Sequence, residues 1–245
     1  MRRRAGDPVE RAPRSRARRP AYAVVVAGGP DGPAWWPSLV DRADLVICAD
    51  GGVDAARARG RVPHLVIGDF DSASSGALAW ARRRGARLVR YPRDKDATDT
   101  ELALAHALAA GARRVDILGA LDGRVDHALA NVGLLLVAAR RRCRARLVRE
   151  RTEVFLARGA TPIPGRAGDL VSLLPLFGPA SGITTRGLRY GLRGGRLSAG
   201  STRGVSNVVV RPPAGVTVRR GRLLVVVTHR RRPADAGRAS AGSRV

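Results

Sequence analysis

The sequence predicts an α/β protein, with a doubly wound, mostly parallel sheet domain followed by a smaller all-β sandwich or barrel domain. Up to about residue 150, short apolar strand patterns alternate with helix patterns, which is the rhythm of parallel sheets. From about residue 154 the helix patterns stop, and short apolar runs alternate with turns rich in glycine and proline. This change of texture predicts two domains.

The 245 residues divide into four predicted segments. Residues 1–20 and 230–245 are rich in arginine and lack apolar periodicity, so we predict two disordered arms. The α/β domain is predicted at 21–150 and the β domain at 151–229.

The first three strands of the α/β domain are buried apolar runs: YAVVVA, LVICA and LVI, at 22–27, 45–49 and 65–67. A fourth and a fifth follow at 87–91 and 115–118, and a sixth at 146–148. Helices are predicted between them, with glycines closing the first two, at 53–59, 74–84, 102–110 and 129–141. In the β domain, six apolar runs predict six strands, at 154–157, 170–176, 183–192, 206–212, 216–220 and 223–229.

Net charge and cysteine content limit the classes of function. The formal charge is +25, but residues 1–20 hold eight arginines against two acids, and aromatic residues make up only 4%. Nucleic-acid contact is therefore expected only through the Arg-rich arms. The isolated Cys48 and Cys143 indicate a reduced compartment, and no apolar run is long enough to span a bilayer. We expect a cytoplasmic protein without a membrane segment.

Acidic residues follow two of the predicted strands. Asp50 ends the second strand beside Gly51, and Asp69 and Asp71 follow the third. Ligands of open α/β sheets bind at the carboxyl ends of the strands, where paired carboxylates favour Mg²⁺ and its phosphates. The alternative is a polar turn, in which Asp71 or Ser72 caps the next helix.

Two further stretches carry charge next to predicted helix starts. The loop at 94–101 crowds four acids around Lys95, more than a helix cap at Thr98 or Asp99 requires. After the fifth strand, Arg124 lies beside Gly123, where a guanidinium suits a phosphate chain. Asp126 or an acid of the 94–101 loop could act as a general base.

Together these motifs resemble the thiamine pyrophosphokinase family. The motifs ADGG, IGDFDS, DKDATDTELAL and GALDGRVDHALAN occur in that family's order, at 49–52, 67–72, 94–104 and 119–131. GLRYGL at 187–192 and GVSN at 204–207 resemble its thiamine-binding β domain. The resemblance covers roughly residues 22–228.

The resemblance implies a transferase, a kinase that moves a diphosphoryl group from ATP to the hydroxyl of thiamine, giving thiamine diphosphate and AMP. It further implies Mg²⁺, a nucleotide-binding catalytic domain at 21–150, a thiamine-binding domain at 151–229, and a homodimer with sites between subunits. The implied catalytic residues are Asp69, Asp71, Asp96, Asp99, Arg124 and Asp126, with Asp69, Asp71 and Asp99 on the metal. The implied nucleotide contacts are Asp50, Gly51, Lys95, Thr98 and Asn131, and the implied thiamine contacts are Tyr190, Ser206 and Asn207.

Two features depart from the family pattern: Asp122 stands where glycine is frequent, and the Arg-rich arms have no counterpart in the family. Tyr190 lies where many members have tryptophan. Three other functions remain as alternatives. A related pyrophosphokinase could use another alcohol, such as a hydroxymethylpterin. A phosphatase could use Asp69 as its nucleophile, and a polyanion-binding protein would carry out no catalysis.

Overall fold

The computed structural model describes residues 20–29 and 36–230. The predictions for the Arg-rich arm and tail therefore lie, except for their innermost residues, outside the described part of the chain. Within that part, no helix is both long enough and apolar enough to cross a membrane.

Six parallel strands form the first part of the molecule, in the order β6-β5-β1-β2-β3-β4. Their bounds are β1 Tyr22–Val26, β2 Leu45–Ala49, β3 Leu65–Gly68, β4 Arg87–Arg90, β5 Arg114–Leu118 and β6 Arg144–Arg149. Five helices connect them: α1 Trp36–Asp41, α2 Gly52–Ala58, α3 Ser75–Arg83, α4 Asp99–Ala110 and α5 Val125–Arg140. The six predicted strands and four predicted helices are confirmed within a few residues, and α1 was not predicted.

The helices cover both faces of the parallel sheet, as a doubly wound fold requires. Trp36 of α1, Val53 of α2 and Trp80 of α3 pack in one apolar core. Leu104 of α4 and Leu135 of α5 pack in the other. The chain turns from one face to the other between α3 and α4, so the strand order reverses between β1 and β5. Crevices at such a switch point bind ligands in open α/β sheets.

The chain from residue 152 onward is rich in antiparallel strands: β7 Thr152–Ile163, β8 Leu170–Leu174, β9 Ala180–Arg186, β10 Gly195–Leu197, β11 Asn207–Val208 and β12 Ala214–Thr228. β7 pairs with β6 on one side and along its length with β12 on the other. The parallel and antiparallel strands therefore belong to one continuous sheet. The predicted fold class, a mostly parallel α/β sheet followed by a β-rich part, is confirmed.

β12 joins two runs that the sequence predicted as separate strands. The residues of β12 that pack in the core of the antiparallel part have even numbers before the junction (Val216, Val218) and odd numbers after it (Leu223, Val225). Because side chains alternate between the faces of a strand, this change of parity requires an irregularity. The register shifts between Val218 and Leu223, and Gly221 lies there with a φ of +83°.

A chain of buried and partly buried charged groups connects the parallel strands to the antiparallel ones. Arg146 of β6 donates to both oxygens of Asp116 of β5, at 2.6 and 2.7 Å, and also to Glu153 of β7. Glu153 and Asp169 accept in turn from opposite ring nitrogens of His229, at 3.0 and 2.9 Å. Both bonds raise the pKa of His229, the one to Glu153 most.

Candidate active site

A cavity of about 610 Å³ opens at the carboxyl ends of the parallel strands, at the switch point between β1 and β5. We call it the acidic cavity. It is lined by the loops that follow β1, β2, β3 and β5, and by the segment that leads into α4. The loops that carry the four family motifs therefore meet at the edge of the sheet that the strand-end rule predicts.

Three carboxylates converge in the acidic cavity. Oxygen atoms of Asp50, Asp69 and Asp99 all lie within 4.8 Å of one another. The glycine at the end of β3 makes this approach feasible: Gly68 has a φ of +151°, and a Cβ there would lie 3.0 Å from the Cβ of Asp50 and 3.2 Å from Asp99. Glycine at 68 therefore meets both a backbone and a space requirement of the acidic cluster.

Asp50 is held in place by the DxDS loop. It is buried, with a φ of +42°, and its Oδ2 accepts hydrogen bonds from the hydroxyl and the backbone N–H of Ser72. Its Oδ1 is buried and has no hydrogen-bond partner among the described residues. A buried carboxylate oxygen without a donor, beside two other carboxylates, fits a divalent cation with oxygen ligands.

Lys95 lies between two of these carboxylates. Its ammonium group is 3.1 Å from Asp69 and 3.1 Å from Asp99. Burial lowers the pKa of Lys95, but the two carboxylates outweigh it and the pKa is raised overall. The backbone N–H of Asp71 and the Lys95 ammonium lower the pKa of Asp69, whereas burial raises the pKa of Asp99. Lys95 therefore balances part of the charge of the acidic cluster.

Asp71 and Asp96 line the same cavity but lie outside the group of three. Asp71 is half exposed, and one of its oxygens is 3.5 Å from the guanidinium of Arg93. The role of Asp71 as a metal ligand stays a prediction. Sequence reasoning missed Arg93, which also lines the cavity, and the hydrogen bond from Ser72 to Asp50.

The residues that cap α3 and α4 show which polar side chains of the preceding loops are needed to start a helix. Thr98 is the N-cap of α4, and its hydroxyl accepts from the backbone N–H of Glu101 at 3.2 Å. The polar-turn interpretation of the DxDS loop, with a cap at Asp71 or Ser72, is wrong, because Ser74 caps α3. The DxDS carboxylates are therefore not needed to start that helix.

The glycines after β2 allow close contact with neighbouring backbone. A Cβ at Gly51 would lie 3.3 Å from the carbonyl oxygen and the hydroxyl of Ser72. A Cβ at Gly52 would lie 2.0 Å from the carbonyl oxygen of Val26. The approach of α2 to β1 therefore depends on glycine at 52.

The loop between β5 and α5 presents Arg124 to the cavity. Arg124 donates to both oxygens of Asp126, at 3.1 and 2.6 Å, and the two side chains are exposed. This bond lowers the pKa of Asp126. Asn131 is buried and donates to the carbonyl oxygen of Ala120 at 2.9 Å, so it fixes the loop from within.

Asp122, the departure from the family pattern, also lies at this loop. Its side chain is almost fully buried, and Oδ1 is 2.5 Å from the guanidinium of Arg149 at the end of β6. This carboxylate therefore adds a charge to the cavity lining that an arginine of the same chain balances.

The predicted thiamine contacts lie in the antiparallel part, and none of them lines the acidic cavity. Asn207 is buried, and its Oδ1 accepts from the backbone N–H groups of Tyr190 and Val208, at 3.0 and 2.8 Å. Its Nδ2 donates to the carbonyl oxygen of Tyr190 at 2.7 Å. Tyr190 is 64% exposed, and Ser206 is exposed with a φ of +59°. Asn207 thus holds the backbone that presents Tyr190.

Comparison with known families decides the assignment. The family model for the thiamin pyrophosphokinase catalytic domain matches residues 36–147. The model for the thiamin pyrophosphokinase vitamin B1 binding domain matches residues 161–223, so the two matches span most of the chain in the expected order. The chain belongs to the thiamine pyrophosphokinase family.

Relatives that align with 80–82% of this chain agree with this assignment. The chain is 28% identical to a thiamine pyrophosphokinase of Bacillus subtilis over 213 residues, 82% of this chain and 96% of the relative. It is 29% identical to thiamine pyrophosphokinase 1 of Oryza sativa over 224 residues, 80% of this chain and 83% of the relative.

Solved structures of the thiamine pyrophosphokinase family share the fold. A family member from Enterococcus faecalis superposes with a TM-score of 0.72 at 26% identity, covering 86% of this chain and all of that chain. The Bacillus subtilis structure gives a TM-score of 0.77 at 24% identity, covering 85% and 99%. Of the site residues that the family resemblance implied, all line the acidic cavity except Asp126, Tyr190, Ser206 and Asn207.

Proposed function

We propose that this chain is a thiamine pyrophosphokinase, which transfers a diphosphoryl group from ATP to the hydroxyl of thiamine and releases AMP. The observation that carries this proposal is the convergence of Asp50, Asp69 and Asp99 in a cavity at the switch point. Membership of the family supports the identity of the substrates. The cavity is wide enough for a nucleotide, since ligand pockets have volumes of about 300–1,000 Å³.

Asp50, Asp69 and Asp99 would hold Mg²⁺, with Asp71 next to them as a further ligand. Bound there, Mg²⁺ would neutralise charge on the phosphate oxygens as a Lewis acid. The three carboxylates are held before binding by Ser72, by the backbone N–H of Asp71 and by Lys95. A site that is already arranged loses less conformational entropy when its ligand binds.

Cationic side chains at the rim would bind the phosphates. Arg124 presents a planar guanidinium on an exposed loop, and its bond to Asp126 fixes the orientation of that group. Arg93 and Lys95 line the same cavity from the loop before α4. Binding of phosphate by these groups would align the triphosphate for attack by the alcohol, with AMP as leaving group.

Thiamine would bind against Tyr190 and Ser206, on backbone that Asn207 holds. Because this segment does not line the acidic cavity of the same chain, we propose a homodimer in which each site combines residues of both subunits. Two exposed apolar residues one turn apart on α5, Val125 and Leu129, support an interface next to Arg124. We also propose that the enzyme works in the cytoplasm.

Product identity tests the proposal. The full chain is incubated with ATP, thiamine and Mg²⁺, and AMP and thiamine diphosphate are separated by chromatography. We expect the two products in equal amounts, and neither when thiamine is omitted. A hydroxymethylpterin that replaces thiamine as acceptor would support the related pyrophosphokinase instead. Release of inorganic phosphate without a diphosphorylated product would support the phosphatase, and no turnover at all would contradict catalysis.

A further inference from the structure

A second cavity, which we call the basic cavity, opens at the opposite end of the parallel strands. Its volume is about 570 Å³. It lies between the end of α5, the middle of β7 and the first residues of β5 and β6. Two acids and six arginines line it: Arg114, Arg142, Arg144, Arg146, Arg158 and Arg222.

The two acids of the basic cavity, Asp116 and Glu153, are already paired within the chain. Asp116 accepts from Arg146 at 2.6 and 2.7 Å and from Arg114 at 3.2 Å. Glu153 accepts from Arg146 and from His229. The two carboxylates therefore balance the charge of Arg114 and Arg146 and leave the other four arginines of the cavity without an acidic partner.

Four arginines remain: Arg142, Arg144, Arg158 and Arg222. None of them makes an ion pair with an acid of the described ranges. The Nε of Arg222 is buried and has no hydrogen-bond partner there. Guanidinium groups that line one cavity without carboxylate partners repel one another, and an anion in the cavity would offset that repulsion.

Apart from Thr161, the rest of the lining is apolar. Leu135 and Ala139 come from α5, Phe155 and Leu156 from β7, and Pro162 from the end of β7. A bare inorganic anion would leave this wall without contacts. A molecule that carries both phosphates and an organic body would contact the arginines and the apolar wall together.

We propose that the basic cavity binds an organic diphosphate or triphosphate, at a site separate from the acidic cavity. The two cavities differ in their need for a cation. In the acidic cavity three carboxylates repel a phosphate unless a metal ion is present, whereas the basic cavity attracts it directly. Binding in the basic cavity is therefore independent of Mg²⁺. The inference does not depend on thiamine being the substrate of the acidic cavity.

Binding without divalent cations tests this proposal. ATP and inorganic pyrophosphate are titrated into the full chain in EDTA, and heat or retained ligand is measured. We expect one saturable site per chain that binds ATP more tightly than pyrophosphate, because only ATP has an organic body. Asp69→Asn, in the acidic cavity, should leave this affinity unchanged. No saturable binding in EDTA, or equal affinities for the two probes, would overturn the proposal.

The double variant Arg158→Gln, Arg222→Gln locates the site. We expect its affinity for ATP in EDTA to fall at least tenfold. The matched control is Arg83→Gln, Arg196→Gln, which removes the same charge from exposed positions outside both cavities and should bind as the wild type does. Circular dichroism checks folding, and Arg142→Gln, in the turn after α5, replaces the double variant if that one does not fold.

Two outcomes would contradict the site. An equal loss of affinity in the control variant would mean that ATP responds only to net charge. Displacement of ATP by a single-stranded oligonucleotide that binds more tightly, with the same dependence on Arg158 and Arg222, would identify a nucleic-acid surface instead. Oligonucleotide binding that leaves ATP bound and is unchanged in the double variant would place nucleic acid elsewhere and support the cavity as a site for the small phosphate.

Discussion

The acidic cavity and the segment around Asn207 use their polar side chains in opposite ways. In the acidic cavity, oxygens of three carboxylates lie within 4.8 Å of one another, and an oxygen of the buried Asp50 has no hydrogen-bond partner among the described residues. Around Asn207, both atoms of the amide are bonded to the backbone of Tyr190. The carboxylates of the acidic cavity are thus available to a ligand, whereas the amide of Asn207 holds the backbone of a surface that a ligand would contact.

This contrast separates loss of activity from loss of stability. Removing a group that is held for a ligand should lower activity while the fold stays intact. Removing a group that is already bonded within the chain should lower the free energy of unfolding first. Four substitutions test the comparison.

The largest effect is expected for Asp69→Asn. It removes one of three converging carboxylates, so activity should fall on the order of 10³-fold, which corresponds to several kcal/mol of lost stabilisation of the phosphate charge. The free energy of unfolding should fall only slightly, because asparagine can still accept from the backbone N–H of Asp71 and only the ion pair with Lys95 is lost. Steady-state assays across Mg²⁺ concentrations and urea unfolding measure the two effects.

Two neighbours serve as controls for Asp69. Asp94→Asn changes an exposed acid of the 94–101 loop that does not line the cavity, and should be close to wild type. Asp71→Asn should lose less activity than Asp69→Asn, because Asp71 lies outside the group of three. An Asp71→Asn variant that is more severely impaired would show that the metal is held differently.

Arg124→Ala should weaken ATP binding and slow transfer by roughly 10- to 100-fold, since hydrogen bonds to charged groups contribute about 1.5–3 kcal/mol. Its bond to Asp126 is exposed, so the melting temperature should hardly change. Separate titrations with ATP and thiamine measure the effect. Loss of thiamine affinity with ATP affinity retained would contradict the assignment of Arg124 to the phosphates.

Asn207→Ala should lower stability and thiamine affinity, the reverse of the pattern expected for Arg124→Ala. It leaves backbone groups of Tyr190 without their partner, and the free energy of unfolding should fall by about 1–3 kcal/mol. Thiamine affinity should fall with it, because the segment that presents Tyr190 loosens, while ATP affinity is retained. Tyr190→Ala is the matched variant: it should weaken thiamine binding without the loss of stability. Unchanged thiamine affinity in both variants would place the vitamin elsewhere.

The smallest effect concerns His229, which Glu153 and Asp169 bind from both sides. The pKa of His229 in the folded protein is raised above the ordinary value of about 6.5. The charged ring therefore contributes fully to the free energy of unfolding below pH 6.5, and this contribution is lost as the pH rises through the raised pKa. The stability difference between wild type and His229→Gln should therefore shrink between pH 6 and pH 9.

His106 provides a control of opposite sign. Burial lowers its pKa, so its protonation opposes folding, and wild type should lose stability relative to His106→Gln as the pH falls below about 6.5. Urea unfolding at several pH values measures both series. Parallel pH profiles for the two variants would show that neither ring titrates as its surroundings imply.

The comparison also explains what the sequence could predict. Asp50, Asp69 and Asp71 follow buried strands, and the carboxyl ends of parallel strands share one edge of the sheet. Their common position at one cavity could therefore be predicted from the order of strands and helices along the sequence. Which oxygens come closest could not be predicted, because that depends on the φ of Gly68 and on the bond from Ser72 to Asp50. α1 and β10 are too short to leave a clear pattern.

In the antiparallel part, pairing partners come from distant positions, so sequence predicted the strands but not their connections. The two runs of β12 looked like separate strands, because the parity of their apolar residues changes at Gly221. For Asn207, sequence could not distinguish a ligand contact from a turn residue, because donors and acceptors of the same chain can occupy its amide first.

The continuous sheet has a mechanical consequence. Because β7 is hydrogen bonded to β6 on one side and to β12 on the other, the parallel and antiparallel parts are joined by strand pairing rather than by a flexible linker. A hinge between them would break strand pairing and the ion pairs of Arg146. Any closure over substrates must then come from loops or from a second subunit. Heating should unfold both parts in one cooperative transition, with no intermediate in which one of them has detached.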